Sequence, residues 1–457
     1  MERVMFYRFD AYIIYYMYWR GLVKKEIIRR SERMVAIYFE KLFGRFDYEV
    51  VLNQEGLTIL TGPNGYGKST ILKSIEAIGN EFAGIMFFFS LDFKKITAVF
   101  KNDKTIVIEK DKDSLILNGI VIDGQVFRSA FEEVMERRPY FMRIDEDTWI
   151  DRRRGIRYST NEYLSEIYMK DRRGLTVSEQ RELFSMELLE LLQQMKQLVG
   201  TVYFIKEQRL IREKRNNRDE QEVINVIEEL PEKFKGLIGR VQQEYSDISS
   251  KLDSTYPNRL FENEERISED EYKQKMQDMM EKFEKMIKYD LSTMQITSNF
   301  VFRDEHAKAL KIYFDDFEVK YGVYRDFIDK LELYTDIINN RLSFKNVRIS
   351  KDCGIDIVDE NQKQLRLNQL SSGEKQEIVL FYDLIFGTQE NILLMIDEPE
   401  ISLHITWQKK FMDDLLRIII YKGINVIVAT HSPQIINNHW ERQIDLGELY
   451  GEQLDKK

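Results

Sequence analysis

Short apolar runs separated by polar turns open the readable part of the chain. Val35–Phe39, Tyr48–Leu52 and Leu57–Thr61 read as three strands. A glycine-rich loop follows, and then a helical pattern from Lys68 to about Ile78. Strand-like runs return at Ile96–Phe100, Thr105–Glu109 and Ser114–Ile122, separated by Lys/Asp turns, which predicts an antiparallel meander. From about Ser178 the period becomes helical, with Met186, Leu188, Leu189, Leu191, Leu192, Met195 and Leu198 on a helix face. Val202–Ile205 interrupts it as a strand. Two long charged helices are expected over Gln221 to about Leu252 and Ser268 to about Leu291. The second opens with a capping box, Ser268-x-x-Glu271. Its stripe of Tyr272, Met276, Met279, Phe283 and Met286 is expected to pack on the partner helix, because Met commonly fills core gaps. A third helix, about Ala307 to Leu333, leads into strands near Asn346–Ile349 and Ile355–Val358. The last hundred residues alternate strand and helix, and no internal repeat is evident.

Composition narrows the class. At about 150 residues per domain, 457 residues give roughly three domains' worth of chain. The single cysteine, Cys353, leaves no intrachain disulfide, so a reducing cytosol is the natural setting. Four histidines and one cysteine make a zinc finger or an HNH-type metal nuclease hard to build from this chain. A net charge of -10 removes any global attraction to nucleic acid, so contact with DNA is expected to be local or indirect, through a partner. The one basic concentration is Arg152-Arg153-Arg154 with Arg157, then Arg172-Arg173. A solvated turn is favoured there over a face for DNA or an acidic partner.

Residues 1–33 differ from the rest, with eight aromatics and a charge of +4. The uncharged run Ala11–Trp19 is far short of the ~20 residues of a membrane span, and no small-residue cleavage site follows it. Two readings stand. Either translation starts at Met34, with Arg29-Arg30 encoding a ribosome-binding sequence, or the segment is an aromatic docking helix. The first is favoured.

Gly62-Pro63-Asn64-Gly65-Tyr66-Gly67-Lys68-Ser69 matches G-x-x-x-x-G-K-[ST] between an apolar strand and a helix. Glycines allow the tight turn that aims N–H groups at phosphate oxygens, at a helix end that favours anions. Lys68 can reach the β- and γ-phosphates, and the Ser69 hydroxyl suits magnesium. Near the other end, Ile392–Ile396 is a continuous apolar run, as expected of a buried parallel strand. It ends in Asp397, placed for the magnesium shell, and Glu398, placed to polarise the attacking water. A second apolar strand, Ile424–Ala429, ends in Thr430-His431-Ser432-Pro433, where His431 can contact a γ-phosphate. Upstream, Leu370-Ser371-Ser372-Gly373-Glu374-Lys375-Gln376 is a second Ser/Gly loop at a helix N-terminus.

Together these blocks resemble the ABC-type ATPase superfamily. GPNGYGKS resembles its Walker A motif, LSSGEKQ its signature loop, ILLMIDEPE its Walker B and ATHSP its switch-histidine loop. The signature departs from LSGGQ by carrying Ser372 beside Gly373 where that form has two glycines. The resemblance implies Glu398 and His431 as the catalytic pair. It implies a nucleotide-binding set of Gly62, Pro63, Asn64, Gly65, Tyr66, Gly67, Lys68, Ser69 and Thr70, with Ser371 and Gly373. Gln208, in YFIKEQRL, would be the Q-loop glutamine and join Ser69 and Asp397 at Mg2+. The cofactors implied are ATP and Mg2+. The implied fold class is α/β: an ABC-ATPase head, with a P-loop parallel sheet and an antiparallel β meander, carrying an inserted helical arm. Its parts would be an extension at 1–33, the head's N-terminal half at 34–215, the helical insertion at 216–340 and the head's C-terminal half at 341–457. In this superfamily the signature loop of one head closes over ATP on another, so a homodimer or higher homo-oligomer is expected.

Lys68 and Ser371 stand 303 positions apart, far more than in transporter ATPases, which points to the SMC/Rad50/RecF and OLD-like branches. LFGRFDYEV and KLDSTYPNRLF further resemble stand-alone ATPases of bacterial anti-phage defence, first the Septu ATPase subunit and next the PARIS ATPase. With 26 residues after His431, no room is expected for a C-terminal Toprim nuclease. The resemblance therefore implies a cytoplasmic ATPase with a separately encoded nuclease partner and no membrane association. The rival reading is a RecF/Rad50-like repair clamp that binds DNA directly.

Overall fold

The computed structural model describes residues 34–136, 141–144, 148–152, 156–159, 184–205, 211–215, 221–293, 302–388, 392–403 and 405–455. Residues 1–33, Arg153, Arg154, Arg172, Arg173 and Gln208, each singled out above, lie outside that set. Arg152 and Arg157 are exposed.

In chain order, β1 (Met34–Leu42), β2 (Phe46–Val51) and β3 (Leu57–Thr61) precede α1 (Lys68–Gly79) and α2 (Glu81–Ser90). Then come β4 (Lys95–Phe100), β5 (Thr105–Asp111), β6 (Ser114–Leu117), β7 (Ile120–Asp123) and α3 (Gly124–Glu136). Three short strands, β8 (Phe141–Arg143), β9 (Thr148–Asp151) and β10 (Ile156–Ser159), lead to α4 (Met186–Val199) and β11 (Val202–Ile205). A hairpin of β12 (Ile211–Arg215) and β13 (Gln221–Asn225) opens the helical stretch of α5 (Val226–Glu262), α6 (Glu269–Lys288) and α7 (Ala307–Asn339). Next are β14 (Lys345–Ser350), β15 (Gly354–Asp359), β16 (Gln364–Leu365) and α8 (Ser372–Tyr382). The chain closes with β17 (Leu393–Asp397), α9 (Ile405–Lys422), β18 (Asn425–Ala429), α10 (Pro433–Ile436), β19 (Gln443–Asp445) and α11 (Leu446–Asp455).

The chain divides into two compact units. The first comprises 1–207, 217–220 and 389–457, and the second 208–216 and 221–388. The first unit holds the parallel sheet, ordered β11-β17-β18-β3-β19, and the antiparallel meander β2-β1-β4-β5-β6-β7. Both follow from side-chain pattern. Every residue of β3 is buried, as a strand covered on both faces requires, whereas β4 alternates half-buried and buried positions as a one-sided strand does. Helix α1 buries Ile71, Leu72, Ile75 and Ile78, which share one face. The run read as one strand over Ser114–Ile122 is two, β6 and β7. Asn118 and Gly119 both take positive φ, 44° and 89°, the turn geometry that reverses a two-residue hairpin.

In the second unit, α5 begins at Val226 rather than at Gln221, because Gln221–Asn225 pairs with β12 instead. The capping box at Ser268 forms: the Glu271 amide donates to its hydroxyl at 3.3 Å, and its own N–H donates to the Glu271 carboxylate at 3.0 Å. The Met/Phe stripe packs as core, but its partner is α7. Phe283 stacks on Phe317 with ring centroids 4.9 Å apart, and Tyr272 meets Phe314 edge-on. Lys275–Asp315 and Lys285–Glu332 ion pairs flank that seam. No helix among the described residues is long and apolar enough to cross a membrane.

Candidate functional site

Parallel register brings the chemistry to one edge of the sheet. Asp397 pairs with Ala429, and Ala429 with Leu60, so β17, β18 and β3 end side by side. At such carboxyl ends α/β proteins hold their ligands. The loop after β3 turns through Gly62, Gly65 and Gly67 at φ of 136°, 84° and 91°, a backbone open to glycine and costly for other residues. Space adds to the constraint at Gly67, where a Cβ would stand 3.2 Å from Leu42 and 3.3 Å from Phe43. No side chain caps α1, whose first intrahelical bond runs from the Ile71 amide to the Gly67 carbonyl at 2.8 Å. The amides of Lys68, Ser69 and Thr70 are therefore left to an anion.

Lys68 is only 5% exposed. Its amine folds back onto the loop, donating to the Gly62 carbonyl at 2.8 Å and the Pro63 carbonyl at 3.2 Å. It also lies 3.3 Å from Nδ1 of His431. Burial lowers its pKa below the ordinary lysine value, against the opposing pull of Glu398, Asp397, Glu400 and Asp445. His431 Nε2 lies 3.5 Å from the Glu398 carboxylate. One chain of contacts thus runs from the loop lysine through the histidine to Glu398.

Glu398 itself takes the left-handed conformation, φ 46° and ψ 58°, a strained choice for a residue with a long side chain. Its N–H donates to the Ala429 carbonyl at 2.9 Å, so the last rung of the sheet holds the turn in place. The donors around Lys68 fit Mg2+: the Ser69 hydroxyl on α1 and the Asp397 carboxylate closing β17 are hard oxygens, and Mg2+ takes one or two carboxylates beside phosphate oxygens.

The P-loop residues, Asp397, Glu398 and His431 belong to the first unit, and Ser371 and Gly373 to the second. There Ser371 is the N-cap of α8. Its hydroxyl accepts from the Glu374 amide at 3.3 Å and donates to the Glu374 carboxylate at 3.0 Å. Lys345 reaches the same carboxylate at 2.8 Å.

Three supporting residues, Asp445, Tyr450 and Glu400, escaped the sequence reading. Asp445 accepts from the Thr61 hydroxyl at 2.8 Å and from the Gly447 amide at 2.7 Å, tying the start of the P-loop to α11. Tyr450 of α11 meets both Tyr66 and Phe46 edge-on, and the Tyr48 hydroxyl donates to the Tyr66 carbonyl at 3.0 Å. Glu400, two residues beyond Glu398, accepts from the Thr430 hydroxyl and the His431 amide. Glu400 lies in a helical turn and Asp445 closes the three-residue strand β19, so no periodicity marks either. The one signal for Glu400 was a third acidic residue in Asp397-Glu398-Pro399-Glu400.

Comparison with known proteins places these features. The family model described as "AAA_15: AAA ATPase domain" matches residues 42–436. The chain is similar to the "Retron Ec83 probable ATPase" of Escherichia coli, 30% identical over 144 residues, covering 29% of this chain and 26% of that one. It is also similar to "Phosphonates import ATP-binding protein PhnC 2" of Rhodopseudomonas palustris (strain BisA53), 36% identical over 81 residues, 18% of this chain and 29% of that one. The match therefore spans little more than a quarter of either relative's length. Among solved structures, the SMC head domain from Thermotoga maritima aligns at 13% identity, covering 88% of this chain and 91% of that one, with a TM-score of 0.31. At that score the likeness adds nothing to the architecture described above.

Proposed function

The chain belongs to the AAA_15 family of AAA ATPase domains, and from that premise we propose that it binds MgATP at the P-loop and hydrolyses it to ADP and phosphate. The observation that carries this reading is the run of contacts from Lys68 through His431 to Glu398 at 3.3 and 3.5 Å. In it Lys68 leaves the Gly62 and Pro63 carbonyls for the β- and γ-phosphates, and the α1 amides take the remaining phosphate oxygens. Glu398 orients and accepts a proton from the water that attacks the γ-phosphorus, while the bond to the β-phosphate oxygen breaks. His431 donates a hydrogen bond to the γ-phosphate. Ser69 and Asp397, with Gln208 as a further ligand, would hold Mg2+, which would neutralise charge on the triphosphate. Substituting Lys68 by Ala should abolish nucleotide binding measured by calorimetry; undiminished binding would remove the site assignment.

The finer reading is an ATPase of anti-phage defence, in which ATP draws two or more chains together, with Ser371 and Gly373 of one chain meeting nucleotide on another. The similarity to a retron ATPase and the LFGRFDYEV and KLDSTYPNRLF stretches support it. A separately encoded nuclease as effector, in the cytoplasm and without membrane association, belongs to the same reading. The parts at 34–215, 216–340 and 341–457 would serve as head, arm and head. Light scattering of Glu398→Gln with and without MgATP tests the assembly, and a nuclease gene directly downstream tests the partnership. Neither the comparisons nor the charge of -10 favours the repair clamp that binds DNA directly.

A further inference from the structure

The turn after Glu398 is tied to the loop that carries His431 by one carboxylate. Glu400 Oε1 accepts the Thr430 hydroxyl at 2.8 Å and the His431 main-chain amide at 2.7 Å. Thr430 is fully buried and its own amide donates to Leu60, at the end of β3, at 3.0 Å. A second layer fixes the same turn from behind. Gln408 of α9 donates to the Glu400 and Leu403 carbonyls, and its side-chain oxygen accepts the Ser432 hydroxyl at 2.8 Å. The His431 ring therefore stands between Lys68 and Glu398 because its backbone is clamped on both flanks. The carboxylate spends one oxygen on that clamp, while Oε2 is buried and has no partner among the described residues. A half-buried carboxylate with one oxygen shielded and unpaired is an expensive means of holding a loop, and so points to geometry that function demands.

We infer that Glu400 is a positioning residue for hydrolysis, one that sets the place of His431 relative to Glu398 and Lys68 without touching nucleotide. This rests on the ATPase reading given above. If the hydrogen bonds matter, Glu400→Ala lowers kcat about tenfold or more, because small misplacements of catalytic groups are costly. MgATP affinity should stay within about twofold of wild type, since the P-loop contacts are untouched. Glu400→Gln keeps an oxygen acceptor and should restore kcat to within about threefold of wild type.

The test is a double-mutant cycle on the full chain, combining Glu400→Ala with His431→Ala, read as kcat and as nucleotide affinity. Acting through His431 predicts that Glu400→Ala costs nothing further once His431 is Ala. Additive losses, or wild-type turnover in Glu400→Ala beside an impaired His431→Ala, overturn the inference and leave the ATPase site standing. An equal loss in Glu400→Gln and Glu400→Ala overturns it too, since charge and not the clamp would then matter. Unchanged turnover in His431→Ala overturns the role of His431, and this inference with it. Should Glu400→Ala fail to fold, Thr430→Val removes one of the two bonds at constant shape. A kcat lowered about threefold is then expected, and wild-type kcat would refute the clamp.

Discussion

Gly67 lies against Phe43: a Cβ built on the glycine would approach the ring to 3.3 Å, and Leu42 to 3.2 Å, while φ stands at 91°. The glycine before the P-loop lysine thus answers to two constraints at once, conformation and space. Gly65 answers to one, because its φ is 84° and nothing lies within 4 Å of a Cβ there. Gly65→Ala should cost about 1 kcal/mol of strain, and Gly67→Ala roughly 1–3 kcal/mol more, because the packed neighbours must also move. Denaturant unfolding of the two variants checks the order; equal losses would contradict it.

Lys68 couples nucleotide binding to pH. Burial lowers its pKa in the free protein below the ordinary value of 10.5, and a bound triphosphate must raise it again. Between those two values, binding takes up a proton. Affinity for MgATP should therefore fall as pH rises through the free-state pKa and be at its full value below it. Calorimetry in buffers of different ionisation enthalpy at alkaline pH reads that proton directly, and net proton release would contradict the account.

Buried Arg341 pairs with Glu377 of α8, and its guanidinium lies 4.6 Å from the centre of the Phe381 ring. Removing Arg341 takes the cation from beside a buried carboxylate, so Arg341→Met should cost roughly 3–5 kcal/mol. Arg341→Met combined with Glu377→Leu should recover much of that, because two apolar side chains leave no stranded charge. Chemical denaturation of the single and double variants decides it.

Glu374 is drawn in two directions. Burial raises its pKa, but the Lys345 amine and the Ser371 N–H and hydroxyl outweigh that and lower it from 4.5. A depressed carboxylate contributes stability that is present above its unfolded pKa and lost as pH falls through its folded one. Acid titration of stability should thus show a wild-type loss below pH 4.5 that Glu374→Gln lacks. At neutral pH the variant should be weaker by about 1 kcal/mol, because the Ser371 cap stays but the Lys345 pair and the Ser371 bonds lose the carboxylate charge.

Much of the site was legible because its residues sit at the ends of buried strands. Runs such as Leu57–Leu60 and Leu393–Ile396 announce a parallel sheet, and in a parallel sheet residues at strand ends meet without further information. Lys68, Asp397, Glu398 and His431 were all visible on those grounds. Glu400 and Asp445 were not, since one lies in a turn and the other closes a strand too short to show a period, and the threonines they hold, Thr430 and Thr61, are distant in sequence. The Asn118-Gly119 hairpin carried a local signal, and the apolar run around it obscured that signal. The long charged pattern from Gln221 to about Leu252 predicts helix from its first residue. Pairing with Ile211–Arg215, a tertiary choice, made Gln221–Asn225 strand. The Met/Phe stripe of α6 marked a buried face correctly, but periodicity says nothing of which helix covers it.

The central claim is that Glu398 activates water at a nucleotide site built around Lys68, and phosphate release by Glu398→Gln tests it most directly. Turnover and MgATP affinity should be measured on the same preparation. The account predicts turnover lower by at least about a hundredfold, the scale of losing a general base, with affinity kept at the wild-type level. Turnover equal to that of the wild-type chain would contradict it.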